Sequence, residues 1–327
     1  MKRLPTGRVL AALVAALALA PAAFGQSYQP PRTPDGKPDL QGMWTNSSIT
    51  TLERANPSLP LVLNDEQRAT MEGQRLQQEV SANSPTDPET GAPSSGGAIG
   101  GYNAFWLDRG MRVGVINGEA RSSWITDPPN GKMPVSEQGK ARIAKIMTTR
   151  NEDGPEGMNP ADRCLIGSRG SGGPPMLNNI YNNTYHIVQT TDHVMIDVEM
   201  MHDARIVRLG QEHKPEPVKQ WLGDSIGHWD GDTLVIVTRN WNRWHGDYEP
   251  IFLSEQATVT ERFTRTGPDE LTYAFEVDDP GFYTQTWKGE MLFTTSPGDV
   301  YEFACHEGNH ALEGILRGAR FLERTTK

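Results

Sequence analysis

Residues 257–278 read ATVTERFTRTGPDELTYAFEVD, and this stretch decides the fold. Ala257, Val259, Glu261 and Phe263 share one face of the first run, and Leu271, Tyr273, Phe275 and Val277 share one face of the second. Alternation with a period of two is the signature of extended strands whose side chains point to opposite faces. Gly267-Pro268-Asp269 between the runs supplies the backbone reversal. The reading is a β-hairpin with one buried face.

The same period extends outward from this hairpin. Segments 185–190, 193–200, 205–209, 225–229, 233–238, 283–294 and 300–305 also read as strands, with Asp230-Gly231-Asp232 and Pro297-Gly298-Asp299 as turns. Nine strands in a row with no helical crossover imply a mainly β fold: a large antiparallel, barrel-like sheet of calycin or lipocalin type. Residues 306–320 read as an amphipathic C-terminal helix with Ala311, Leu312, Ile315 and Leu316 on one side. Upstream, Asn64 is placed to cap a helix from Asp65 to about Val80, and Ser136 to open a second one ending near Met147. Asn117-Gly118 marks a hairpin, and 81–101 is linker-like. The expected organisation is an N-terminal part at 26–150, with an extended arm anchored by Trp44, packed on a β body at 151–327.

Residues 1–25 read as a cleavable export signal: Lys2, Arg3 and Arg8, an apolar run from Val9 to Ala20, then Ala23-Phe24-Gly25. A periplasmic or secreted protein is expected, with no membrane insertion after cleavage. Without those three cations the balance is 28 basic against 41 acidic side chains, net −13. Such a surface lacks the cationic stripe that phosphate neutralisation needs, which excludes nucleic acid as a partner. A hydrophobic fraction of 36% likewise excludes a polytopic membrane protein. The expected partner is a small-molecule ligand or substrate; the oligomeric state stays open. The two cysteines, Cys164 and Cys305, are expected to pair in an oxidising compartment.

Several motifs together resemble a widespread family of exported bacterial hypothetical proteins. They are PDGKPDLQGMW at 34–44, DPPNG at 127–131, EMMHDAR at 199–205, QWLGD at 220–224, GHWDGDTLV at 227–235, DDP at 278–280 and YEFACHEGN at 301–309. The resemblance implies export and a β-rich body and carries no established activity.

Candidate chemistry gathers in four places. Glu199, His202 and Asp203 form a dense polar cluster at a strand junction, where His moves protons near neutral pH and a carboxylate orients it. Glu261 faces inward with apolar neighbours, so it must pair or be protonated; Arg262 points the other way and cannot be its partner. A Cys164–Cys305 bridge brings the glycine loop at 167–173 beside His306 and Glu307, with Arg169 and Arg205 available to stabilise negative charge. Trp241, Tyr283 and Trp287, with Trp244, Tyr248 and Phe252, either line a ligand pocket or plug a barrel end. His306-Glu307-Gly308-Asn309-His310 also matches the H-E-x-x-H zinc motif, although Gly308 weakens the helix it needs. No cofactor is required by the sequence, and the motif leaves zinc open.

G-x-S-x-G, P-loop and Rossmann fingerprints are absent, so serine hydrolase and nucleotide chemistry are not expected. Beside a minor alternative, a zinc hydrolase using His306-Glu307-x-x-His310, two functions remain. One is an exported enzyme, a hydrolase or lyase, using His and carboxylate groups on a glycoside, aromatic or terpenoid. The other is a non-catalytic periplasmic protein that binds a small ligand.

Overall fold

The computed structural model describes residues 28–83, 107–151, 153–167, 170–242 and 250–325. The leader at 1–25, residues 84–101 of the linker, Arg169, Trp244 and Tyr248 lie outside them. Strand β1 (Gly42–Thr45) comes first; β2 (Val62–Leu63), β3 (Val115–Ile116) and β4 (Glu119–Arg121) make a small separate sheet. Then follow β5 (Ile125–Asp127), β6 (Thr184–Gln189), β7 (His193–Val198), β8 (Asp203–Leu209) and β9 (Asp224–Asp230). The last four are β10 (Thr233–Arg239), β11 (Thr258–Gly267), β12 (Glu270–Asp278) and β13 (Trp287–Thr295).

The sheet order β1-β6-β7-β8-β9-β10-β11-β12-β13 returns to β1 through Trp44↔Thr295 and Thr45↔Thr294, closing a nine-stranded barrel. Closure leaves no open edge. The arm that carries Trp44 thus supplies a barrel stave, and β5 pairs with the outer reach of β13. A closed ring of nine strands cannot alternate direction all the way round. One parallel pair is therefore obligatory, and β8–β9 is that pair, with Arg208 opposite Ile226. The purely antiparallel expectation fails at this one seam.

Side chains fill the barrel interior. Val259, Phe263, Leu271, Tyr273, Phe275, Val277, Met291 and Phe293 are buried there, with Phe263 and Tyr273 ring centroids 4.8 Å apart. Full burial of each such side chain stabilises by about 1.5–3 kcal/mol. Gly289 has no side chain because a Cβ would lie 2.2 Å from Phe275 Cζ. The interior is a packed core, not the open calyx of a lipocalin.

The helices begin where caps dictate. In α1 (Asp65–Ala82), Asn64 and Gln67 form a reciprocal capping box; in α2 (Glu137–Thr149), the Ser136 hydroxyl accepts from the Gly139 N–H. The hairpin turn Asn117-Gly118 has φ of 52° and 81°, the left-handed geometry that Asn-Gly favours. Two C-terminal expectations are corrected. Residues 283–286 and 300–305 are not strands, because the closed barrel offers no free edge to the second of these segments. Helix α3 (Ala311–Thr325) starts five residues later than expected, after Gly308 (φ 65°), where the Asn309 side-chain Oδ1 accepts from the Ala311 N–H.

The two ends of the barrel differ. One end is tied off by short turns at 190–192, 231–232 and 268–269. The approach to β6, the β7–β8 turn, and the β10–β11 and β12–β13 loops gather at the other, and the 210–223 connection between β8 and β9 crosses from the short-turn end to it. A rigid scaffold with loops clustered at one end is where binding and catalytic groups concentrate.

Candidate functional site

Beneath the loop end, Glu261 on β11 meets Arg205 on β8. The Arg205 guanidinium donates twice to the carboxylate, at 2.6 and 2.9 Å, and the Tyr273 hydroxyl donates a third bond at 2.8 Å. Both charged groups are almost fully buried. Burial alone would favour neutral Arg205, but the Glu261 carboxylate holds it protonated, above its ordinary value. Burial and the same carboxylate push the Tyr273 hydroxyl well up, so it stays a donor. Neither Glu261 nor Arg205 is therefore open to a substrate. They anchor the loop above instead, because Tyr273 Oη also accepts from the Met176 N–H at 2.9 Å.

Glu199 is buried and also structural in its bonding. Its two oxygens accept from the backbone N–H groups of Thr184 (3.1 Å) and Tyr301 (3.4 Å), tying the start of β6 and the returning C-terminal segment to the β7–β8 turn. Met201 and His202 follow with φ of 63° and 43°. Two consecutive non-glycine residues in left-handed geometry are strained, a condition that concentrates at working sites. The turn leaves His202 exposed and Asp203 partly covered.

Asp203 is the electrostatically unusual group of this cluster. Burial pushes its carboxyl up to about 6, against the opposing pull of the Gly167 N–H, which donates to Oδ2 at 2.8 Å, and of nearby His202. It faces a narrow cavity of about 20 Å³ lined by Gly167, Gly170, Gly172, Leu222 and Pro250 among others, room on the order of one water molecule. The glycines are needed here: a Cβ on Gly172 would lie 3.0 Å from Asp203 Oδ2.

Cys164 and Cys305 are bonded, with Cα atoms 5.8 Å apart. The staple holds the start of the glycine loop to the segment carrying His306 and Glu307. Both of these side chains are exposed, as is His310. The zinc reading is corrected: residues 306–310 form a bend ahead of α3, so the one-face spacing that H-E-x-x-H requires of a helix is missing. Among the described residues no group of three potential ligands gathers.

Of the aromatic residues, Trp241, Phe252, Tyr283 and Trp287 pack into the hydrophobic core. Trp241 and Trp287 are fully buried, and Tyr283 nearly so. Trp241 Nε1 donates to the Ala257 carbonyl at 2.8 Å, and the Tyr283 hydroxyl to the Phe252 carbonyl at 2.9 Å.

No protein-family model matches this chain, and no curated protein matches it. The disulfide fits an oxidising compartment, and among the described residues no helix is long and apolar enough to cross a membrane.

Sequence reasoning missed two clamps. Asp224, buried at the head of β9, accepts from Arg208 at 2.9 and 3.0 Å and from the Lys214 N–H at 2.8 Å, with His213 Nδ1 3.1 Å away. Despite burial, these partners hold its carboxyl below the usual range. Asp279 accepts from the Ser254 N–H and hydroxyl and from the Gly281 N–H, locking the β10–β11 loop to the β12–β13 loop. The Asp in QWLGD and in DDP was the available signal, since a carboxylate beside a turn commonly binds backbone N–H groups.

Proposed function

We propose that the loop end of the barrel is the catalytic site of an exported enzyme that moves protons on a small organic substrate, a glycoside, aromatic or terpenoid, by hydrolysis or elimination. Asp203 carries this reading. A carboxyl group near 6 is present in both protonation states around neutral pH, which is what general acid–base chemistry requires. Its cavity wall is glycine-rich backbone, so a reacting atom can approach closely. His202 beside it is exposed and suited to exchanging the proton with solvent. Glu199 positions the turn through its two backbone bonds, and His306 and Glu307 stand on the stapled segment as outer groups. Export is supported by the leader-like start and by the Cys164–Cys305 bond.

The filled interior weighs against the lipocalin-like alternative, in which a ligand would sit inside the barrel. The test is turnover by the purified protein of 4-nitrophenyl glycosides, aryl esters and terpenoid esters, with products identified by mass spectrometry. Asp203→Asn should lower turnover by about 10²–10⁴-fold and His202→Ala should lower it less, while His228→Ala, on the outer barrel wall, should not change it. Absence of product from every class, or wild-type turnover in both loop-end variants, removes the reading.

A further inference from the structure

Beside the Asp203 cavity lies a larger cleft of about 410 Å³, within the size range of small-molecule sites. The 48–52 segment after β1, the 177–180 segment before β6, Arg75, Arg109 and Pro250 line it. The two spaces are neighbours. Both touch Pro250, and the Leu177 N–H, from the wall of the larger, donates to the carbonyl of Gly170, from the wall of the smaller, at 3.0 Å. A space on the order of one water cannot hold an organic molecule, whereas its neighbour can.

The chemistry of the wall narrows what fits. Ile49, Leu52, Leu177 and Ile180 present apolar surface. Most polar groups there are already engaged. The Asn178 amide accepts from Trp124 Nε1 and donates to the Ser48 and Thr50 carbonyls, and the Thr50 and Thr51 hydroxyls donate to the Arg121 and Glu53 carbonyls. Arg75 is held by Glu79 and the Gly110 carbonyl. Arg109 differs: it is exposed and makes no hydrogen bond or ion pair among the described residues. A free guanidinium offers a planar fork of donors that suits a carboxylate. The chain as a whole carries a net charge of −10, so its general field repels anions and any anion held here depends on a local cation.

We propose that this cleft binds a small organic acid with an apolar body, its carboxylate on Arg109 and its body against Ile49, Leu177 and Ile180. That the bound molecule is then presented to Asp203 rests on the catalytic reading above; the binding itself does not.

Titration calorimetry and thermal shift on the full chain test it, with benzoate, cinnamate and perillate as probes and their carboxamides as neutral counterparts. At least one acid should bind saturably and raise Tm, with its amide at least 10-fold weaker. Arg109→Glu should weaken the acid at least 10-fold, whereas Lys145→Glu, the same charge change on the exposed side of α2, should not. Asp203→Asn should bind as the wild type does. Failure of all three acids to bind, equal affinity for acid and amide, or indifference to Arg109→Glu overturns the proposal. Arg109-dependent binding without turnover of any substrate class keeps the cleft and removes the catalytic reading. Turnover without Arg109-dependent binding does the reverse.

Discussion

Glu261 illustrates what one residue in a strand pattern reveals and what it conceals. The period of two placed its carboxylate inward and excluded Arg262 as partner. The identity of the partner was not legible, because Arg205 lies 56 residues away and meets it only once the barrel closes. Removing one member of such a pair leaves a buried charge without compensation. Glu261→Ala should therefore cost about 3–5 kcal/mol in urea unfolding, and Arg205→Met with Glu261→Leu should recover most of that loss. A double variant no more stable than Glu261→Ala would contradict a pair whose role is mutual neutralisation. Asp203 behaves oppositely. Its folded-state value of about 6 lies above the ordinary carboxyl value of 3.8, so the folded protein binds this proton more tightly than the unfolded chain. The associated stability is fully present below pH 3.8 and is lost as pH rises through 6. Asp203→Asn should flatten the pH dependence in that window and raise stability at pH 8 by on the order of 2 kcal/mol, even as it removes turnover. An unchanged slope between pH 4 and 6 would show that the carboxyl is not shifted.

The elements were legible wherever the signal is local. The caps Asn64 and Ser136 marked the helix starts, and alternation marked β6 to β12 to within a residue or two at most ends. The segment 300–305 misled because its alternation has no ladder to join: β13 already pairs with β12, β1 and β5. The helix start misled because Gly308 takes a left-handed φ, which keeps His306 to His310 out of the helix. What fixes this irregular segment is the staple to Cys164 and the Tyr301–Glu199 hydrogen bond. A bridge spanning 141 residues stabilises by about 5 kcal/mol in the chain-entropy model. Cys164→Ser with Cys305→Ser should lower Tm, and hydrogen exchange should rise first in 301–310 and in the glycine loop, with β11 and β12 staying protected until global unfolding. Uniform acceleration across the barrel would mean the staple supports the whole fold and not this loop end in particular.

At the scale of the whole molecule, the division into two unlike ends governs which changes the protein tolerates. Nine strands force one parallel seam, and that seam requires the chain to cross back between β8 and β9; Asp224 pins the crossing segment through His213 and the Lys214 N–H. No sequence pattern announces the crossing, because direction around a ring is a property of the count of strands and not of any one of them. Among the described residues the short-turn end carries no buried clamp across its turns, and the Asp232 carboxylate there meets exposed Arg32. The loop end is held by Asp203 on Gly167, by Asp279 on Ser254 and by Tyr273 on Met176. Eight glycine and serine residues inserted between Gly231 and Asp232 lengthen a surface turn, and closing the longer loop costs roughly 1–2 kcal/mol. That variant should keep its β-sheet circular dichroism, its response to organic acids and its turnover. The same insert between Gly170 and Ser171 should leave the sheet signal intact while abolishing both functional readouts, because it displaces the backbone that separates the two cavities. If the first insert removes function as completely as the second, the ends are not independent and the working surface extends beyond the loops.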